Sequence, residues 1–267
     1  LTRLRLDVGY DGTDFSGWAA QPGRRTVAGV LADTLGPIVG GVRNLTVAGR
    51  TDAGVHATGQ VCHLDVASDR WAALAGSLVH RLAGLLPPDV RVFSVTEAPE
   101  GFDARFSALF RRYSYRIADG PWGAPPLRHR DTYAWPRRLD LAALQGASAA
   151  LLGEHDFAAF CRRKEHATTV RAVTELSWRR DPDDVVVATI QADAFCWSMV
   201  RSLIGALLPV GDGRRPPAWP GSLLARTVRA NEVVVAPAHG LTLVAVGYPQ
   251  DPADLARRAE QTRQRRV

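Results

Sequence analysis

The chain has 267 residues, 46% hydrophobic and 22% charged, with a formal net charge of +6; it is long enough to bury a substantial core in one large domain or two smaller ones. No apolar run is long enough to span a bilayer and no signal-peptide pattern is present, so a cytoplasmic protein is expected. The three cysteines, Cys62, Cys161 and Cys196, are odd in number, far apart and form no CxxC pair, which argues against a disulfide scaffold and against structural zinc and favours a reducing cytoplasm.

Residues 3–10 alternate, with Leu4, Leu6 and Val8 on one face and Arg3, Arg5 and Asp7 on the other, as in a half-buried strand. The stretch 10-YDGTDFSGW-18 is turn-rich. Thr26 is placed to cap a helix over 27–36. Strands are expected near 44–49 and 60–66, a helix over about 70–84 capped by Asp69, and a strand over 90–95. This order is β-α-β-β-α-β.

A similar order follows: a strand within 106–117, a helix over 139–153, strands at 171–178 and 185–192, a helix over 197–211, a shorter one near 219–230 and a strand at 241–248. Two such units predict an α+β fold of two ferredoxin-like halves with an extended, mainly antiparallel sheet. The expected division is 1–101, 102–250 and a basic tail over 251–267. Residues 257–267 hold five Arg and one Glu, as in a solvated helix end or frayed terminus. All basic residues but Lys164 are Arg, a bias that GC-rich coding produces as readily as function. Between the halves, 118–138 carries four Pro and two Gly and reads as a surface connector. Its Arg128, His129 and Arg130 lie near Trp122, Tyr133 and Trp135, a mixture that would also suit single-stranded RNA.

The stretch 48-AGRTDAGVHATGQV-61 sets Arg50 and Asp52 between two strand-like runs. Asp in such a place is commonly a turn former. A functional reading starts from Gly49 and Gly54, which admit another backbone or a ligand, and from Arg50, which would favour an ionised Asp52. Such a carboxylate can act as nucleophile or proton acceptor. No GxxxxGK(S/T), no strand-borne GxGxxG and no HExxH occurs. His56 and His63 with Asp52 and Asp65 could be metal ligands, but His63 and Asp65 fall on one strand face, which an exposed, salt-bridged face explains more simply. The pair His155-Asp156, as found in metal phosphohydrolases, is read as a helix end and its turn. The basic loop 161-CRRKEHATTVR-171 reads as a phosphate-binding or a solvated charged loop.

The string 49-GRTDAGVHATGQV-61 resembles the signature of the tRNA pseudouridine synthase I (TruA) family. So do 9-GYDGTDFSGW-18, 102-FDARFSALFRRYSYRI-117, 152-LGEHDFAAF-160, 193-DAFCWSMVRSLIGALLPVG-211 and 240-GLTLVAV-246, in the family's order and across nearly the whole chain. The resemblance implies Asp52 as nucleophile, Arg50 as a base-flipping group, Tyr113 as the residue stacked on the target uracil, Arg201 as the cation paired with the aspartate, and Leu241 as an apolar contact to the base. It implies a homodimer without cofactor or metal, a cleft between the two halves, and uridines of the tRNA anticodon arm, on the 3′ side where loop meets stem, as substrate. Tyr113 is also a candidate acceptor of the C5 proton, while with Tyr115 it could simply form a buried strand face. Arg201 lies on a mostly apolar helix, where it needs a partner. Many members carry Gln and a basic residue after the Trp18 position and two His before Met-Val-Arg. Here these are Ala19, Ala20, Trp197 and Ser198, so altered RNA contacts with retained chemistry are expected. The rival readings are a non-catalytic tRNA-binding protein on the same fold and, more weakly, a metal phosphohydrolase.

Overall fold

The computed structural model describes residues 1–162 and 168–264. The elements in chain order are β1 (Thr2–Tyr10), α1 (Val27–Val39), β2 (Arg43–Val47), β3 (His56–Val66), α2 (Ser68–Leu74), α3 (Leu78–Leu85), β4 (Val90–Glu97), β5 (Phe110–Ala118), β6 (Tyr133–Ala134), α4 (Leu141–Ala149), β7 (Gly153–Asp156), β8 (Val170–Arg180), β9 (Val186–Ala192), α5 (Met199–Gly211), α6 (Trp219–Ser222), β10 (Leu241–Gly247) and α7 (Pro252–Gln264). This is a mixed α+β protein whose strands pair mainly antiparallel. Its contacts divide into two units, residues 1–109 with the segment from 243 onward, and residues 110–242.

In the first unit β1 is flanked by antiparallel β3 and β4, and β2 pairs with β3. The alternation of β1 sends Leu4, Leu6 and Val8 into the core, each at most 1% exposed. Thr26 caps α1 as expected, its Oγ1 accepting the Gly29 N–H at 3.2 Å. The helix buries Val27, Leu31, Leu35 and Val39, a stripe at the spacing of one helical face. The single helix expected over 70–84 is two, α2 and α3. Trp71, Leu74, Leu78 and Leu82 are buried at helical spacing across the break, which is why the interruption does not show in the hydrophobic pattern. Asp69 is not its cap either: the N-cap is Ala67, without a side-chain hydrogen bond, and Asp69 lies in the first turn, where it complements the helix dipole.

The C-terminal segment is docked through Gln264. Leu255 of α7 joins Ala48, Val61, Phe102 and Ala104 in one core cluster, and Arg263 meets Asp103 at 2.9 Å. A frayed tail is therefore corrected as far as Gln264; residues 265–267 lie outside the described residues.

In the second unit β5, β9, β8 and β7 follow one another antiparallel, and β6, inside the Pro-rich connector, pairs parallel to β5. The strand expected from 106 starts only at Phe110, because Asp103 turns the chain by accepting the N–H groups of Arg105 and Phe106. His155 and Asp156 are on strand β7, opposite Arg171 and Val170, rather than at a helix end. The helix near 219–230 shortens to α6 followed by a 3-10 turn at Leu223–Ala225. The core helix α5 buries Leu203, Ile204, Leu207 and Leu208.

Two polar features also organise this unit. Asp119, whose side chain has no exposed surface, accepts from Arg180 at 2.7 and 2.9 Å, from Arg138 at 3.2 Å and from the Leu139 N–H at 2.8 Å. Burial alone would raise its pKa; the Arg180 bonds, the Leu139 N–H and the charges of Arg180 and Arg138 outweigh it and hold the carboxyl below its usual range. Cys161 and Cys196 are joined as a disulfide, with Cα atoms 5.7 Å apart. The chain thus carries one disulfide, a pairing that the cysteine spacing did not suggest. The two cysteines are 35 residues apart and lie in different loops, which fold together at a place that sequence spacing does not report.

Candidate active site

In the first unit, the turn between β2 and β3 presents Arg50 exposed, Thr51 buried and Asp52 half-buried. Backbone and buried side-chain hydrogen bonds shape it. The Trp18 N–H donates to Thr51 O at 3.0 Å, the Gly54 N–H to Phe15 O at 3.4 Å and the Val55 N–H to Asp52 O at 3.2 Å. Tyr10 and Thr51 share a hydroxyl–hydroxyl hydrogen bond of 2.7 Å, and the fully buried Gln60 donates to Tyr10 Oη at 3.2 Å and to Gly49 O at 2.8 Å. His56 is buried, and its Nδ1 accepts the Gly12 N–H at 3.0 Å.

The loop 10–18 therefore clamps the Asp52 turn. The close approach is made by Gly12 and Gly17, which lie outside the turn itself. A Cβ on Gly12 would lie 2.0 Å from Val55 O; on Gly17, at φ +90, it would lie 2.9 Å from Thr51 O. Tyr10, Gly12, Gly17, His56 and Gln60 all lie in the two quoted motifs, but their supporting role was not legible. A buried donor–acceptor chain leaves no periodic trace. Gly12→Ala must push the two loops apart, so the single-turnover rate of the enzyme is expected to fall about 100-fold. Equilibrium binding of its substrate, measured in parallel, should change far less.

His63 is not on an exposed face. It is 3% exposed, its Nδ1 accepts the Ala104 N–H at 3.0 Å, and its ring meets Phe102 edge-on. The segment 102–104 covers the face that alternation assigned to solvent. Burial, then the charge of Arg3, lowers the His63 pKa. Asp65 is bound by Arg3 at 2.7 and 2.9 Å, and that bond holds its carboxyl below the usual range. Among the described residues no group of three or more His, Cys, Asp or Glu side chains is placed to hold a metal ion. Of the phosphohydrolase-like pair, Asp156 accepts the Ala158 N–H and the Thr169 hydroxyl, and His155 Nε2 lies 2.8 Å from Leu152 O.

In the second unit, β5 carries Tyr113, 8% exposed, with its ring T-shaped against Phe195 at 5.2 Å. Two residues on, Tyr115 is fully buried and donates to Pro237 O at 2.8 Å. Burial, with Tyr133 nearby, pushes the Tyr115 hydroxyl far up, against the pull of the Arg201 charge, so it remains a donor. Arg201, in the first turn of α5, is half-buried and donates through Nε to Ala236 O at 2.6 Å, while its own carbonyl accepts the Ala236 N–H. That backbone partner was not visible in sequence. Leu241, 5% exposed, follows the 3-10 turn Ala238–Gly240. Thus Arg201 and Tyr115 are tied to the neighbouring residues Ala236 and Pro237, and Leu241 begins the strand just beyond.

In the connector, Trp122 and Leu127 are exposed at 71% and 99%, Arg128 pairs with Asp131 at 2.7 Å, and Tyr133 stacks edge-on with Trp135 and His239. The aromatic residues at 133 and 135 are thus engaged within the protein. In the basic loop, Arg162 lies over the Trp197 ring at 4.5 Å; Arg163, Lys164 and His166 lie outside the described residues.

Residues 147–249 match the family described as tRNA pseudouridine synthase. A tRNA pseudouridine synthase A of Frankia casuarinae is 60% identical, covering 100% of this chain and 96% of that protein. One of Streptomyces avermitilis is 55% identical over 100% and 95%, and one of Mycobacterium leprae 51% over 98% and 94%. A solved Cbf5-Nop10-Gar1 complex superposes at a TM-score of 0.33 with 12% identity, over 77% of this chain and 54% of that one, too slight a likeness to bear on the fold. These relatives match the chain over nearly its whole length. The chain belongs to the tRNA pseudouridine synthase A family.

Proposed function

We propose that this enzyme isomerises uridine to pseudouridine in the anticodon arm of tRNA, with Asp52 as its nucleophile. The observation that carries the reading is the Asp52 turn. A half-buried carboxylate is presented by a loop whose shape is set by backbone bonds and a buried Tyr10–Thr51–Gln60 chain. The reaction breaks N1–C1′ and joins C5 to C1′. Because the same base is returned, no water enters, and the second carboxylate of a glycosidase is not required. Asp52 attacks C1′ or C6, the two routes open to a single carboxylate. The target nucleotide must leave its stack, a step assigned to Arg50. Tyr113 then offers a stacking face worth ~1–3 kcal/mol and can accept the proton leaving C5. Leu241 adds an apolar contact to the base, and Arg201 supplies positive charge.

The strand orders fit two ferredoxin-like halves: β4-β1-β3-β2 in the first, and β5-β9-β8 preceded by the start of β10 in the second. The enzyme is read as a cytoplasmic homodimer working without cofactor or metal. Light scattering that returned a single-chain mass would overturn the dimer, and activity lost to a chelator would overturn metal independence.

The mapping experiment uses unmodified tRNA transcripts, carbodiimide adducts and primer extension. Pseudouridine is expected in the anticodon arm, and it should disappear when the uridines there are changed to cytidine. Binding without conversion would leave the non-catalytic tRNA-binding reading in its place.

A further inference from the structure

We propose that Cys161 and Cys196 form a reversible dithiol–disulfide site that sets how firmly the entrance to α5, and with it Phe195 and Arg201, is held. Their Cα separation of 5.7 Å lies within the range a disulfide spans without moving the backbone. The two sides of the bridge are unequal. Cys161 is 1% exposed and follows a 3-10 turn, Ala158–Phe160, whose residues are all buried. That turn is anchored again where Ala159 O accepts the Ala230 N–H at 2.9 Å. Cys196 is partly exposed, and the helix it leads into begins poorly. The N-cap, Ser198, is left-handed at φ 63 and makes no side-chain capping bond, a conformation costly for a residue with a Cβ.

Local restraints on this turn include the Met199 N–H to Cys196 O bond of 3.1 Å, the Ser202 N–H to Ser198 O bond of 2.9 Å, the Arg162 N–H to Trp197 O bond of 3.0 Å and the Arg162 guanidinium over the Trp197 ring. The disulfide is thus a covalent restraint from a fixed base to a weakly started helix. Its position matters because Phe195, one residue before, packs on Tyr113, and Arg201 is five residues after. Opening the bridge frees the segment between Arg201 and the Phe195 ring that packs on Tyr113.

The exchange needs a two-electron acceptor, a low-molecular-weight disulfide. The thiolate of the more accessible Cys196 attacks it, releases one small thiol and forms a mixed disulfide. Cys161 gives up its proton, displaces the second small thiol and closes the bridge. The two protons and two electrons lost by the pair appear in the two small thiols. Cys62, fully buried with its thiol pKa pushed up by burial, takes no part and serves as an internal reference.

The test compares the full chain after reduction and desalting with the same protein treated with oxidised glutathione. Alkylation in denaturant should count three thiols before oxidation and one after it. The oxidised form should melt higher by roughly 5–10 °C, and its kcat on unmodified tRNA should exceed that of the reduced form by about 3–10-fold with little change in KM. Cys161→Ser and Cys196→Ser should each keep the reduced-form values in both conditions, while Cys62→Ala keeps the full response. Three thiols after oxidation, or a bridge that leaves both melting and kcat unchanged, overturns the proposal. The kcat readout rests on the function proposed above. If neither form makes pseudouridine while thiol count and melting shift as stated, the functional reading falls and the redox site stands.

Discussion

Asp52→Asn is expected to lower pseudouridine formation by at least ~10⁴-fold, the scale on which removing a sole nucleophile acts. The change is nearly isosteric, and the turn is held by Thr51 O, Asp52 O, the Gly54 N–H and the Tyr10–Thr51–Gln60 chain. Thermal melting should therefore stay within a degree or two of wild type, and tRNA affinity within a few-fold. Single-turnover assays with saturating enzyme separate this outcome from weak binding. Residual activity above about 1% of wild type would be incompatible with a nucleophilic Asp52.

Asp119→Ala is expected to be the most damaging single change to stability, about 3–5 kcal/mol, because it strands the Arg180 guanidinium and the Leu139 N–H without their acceptor. A chemical-denaturation midpoint within error of wild type would refute it. The companion variant Asp119→Ala with Arg180→Ala should recover part of the loss. Acid provides the second check. The folded state holds this carboxyl below its usual value, so its contribution is complete above the unfolded value of about 4. It is lost as pH falls through the lower, folded value. The wild type should therefore lose stability below about pH 4 more steeply than the variant.

Much of the architecture was legible because its signals are local. β1 alternates strictly, Thr26 stands one residue before an apolar stripe, and β9 is rich in β-branched residues (Val186, Val187, Thr189 and Ile190). What escaped depends on contacts distant in sequence. His63 reads as a solvent-facing residue until the 102–104 segment covers it. Trp71 through Leu82 keep one spacing across two helices. Cys161 and Cys196 look like isolated thiols until two loops meet. The candidate site shows the same division. Asp52, Arg50, Tyr113, Arg201 and Leu241 stand in recognisable motifs, whereas the Gln60–Tyr10–Thr51 support and the Ala236 partner of Arg201 are products of tertiary folding.

The path of the chain between its two units has a consequence for biogenesis. Residues 110–242 are contiguous, whereas the first unit needs residues from 243 onward, including Leu255 beside Phe102 in its core. During vectorial synthesis residues 110–242 are made before α7, and the amino-terminal portion must wait for that later-made helix before its interior closes. A released fragment ending near residue 245 should therefore resist protease through its central region alone.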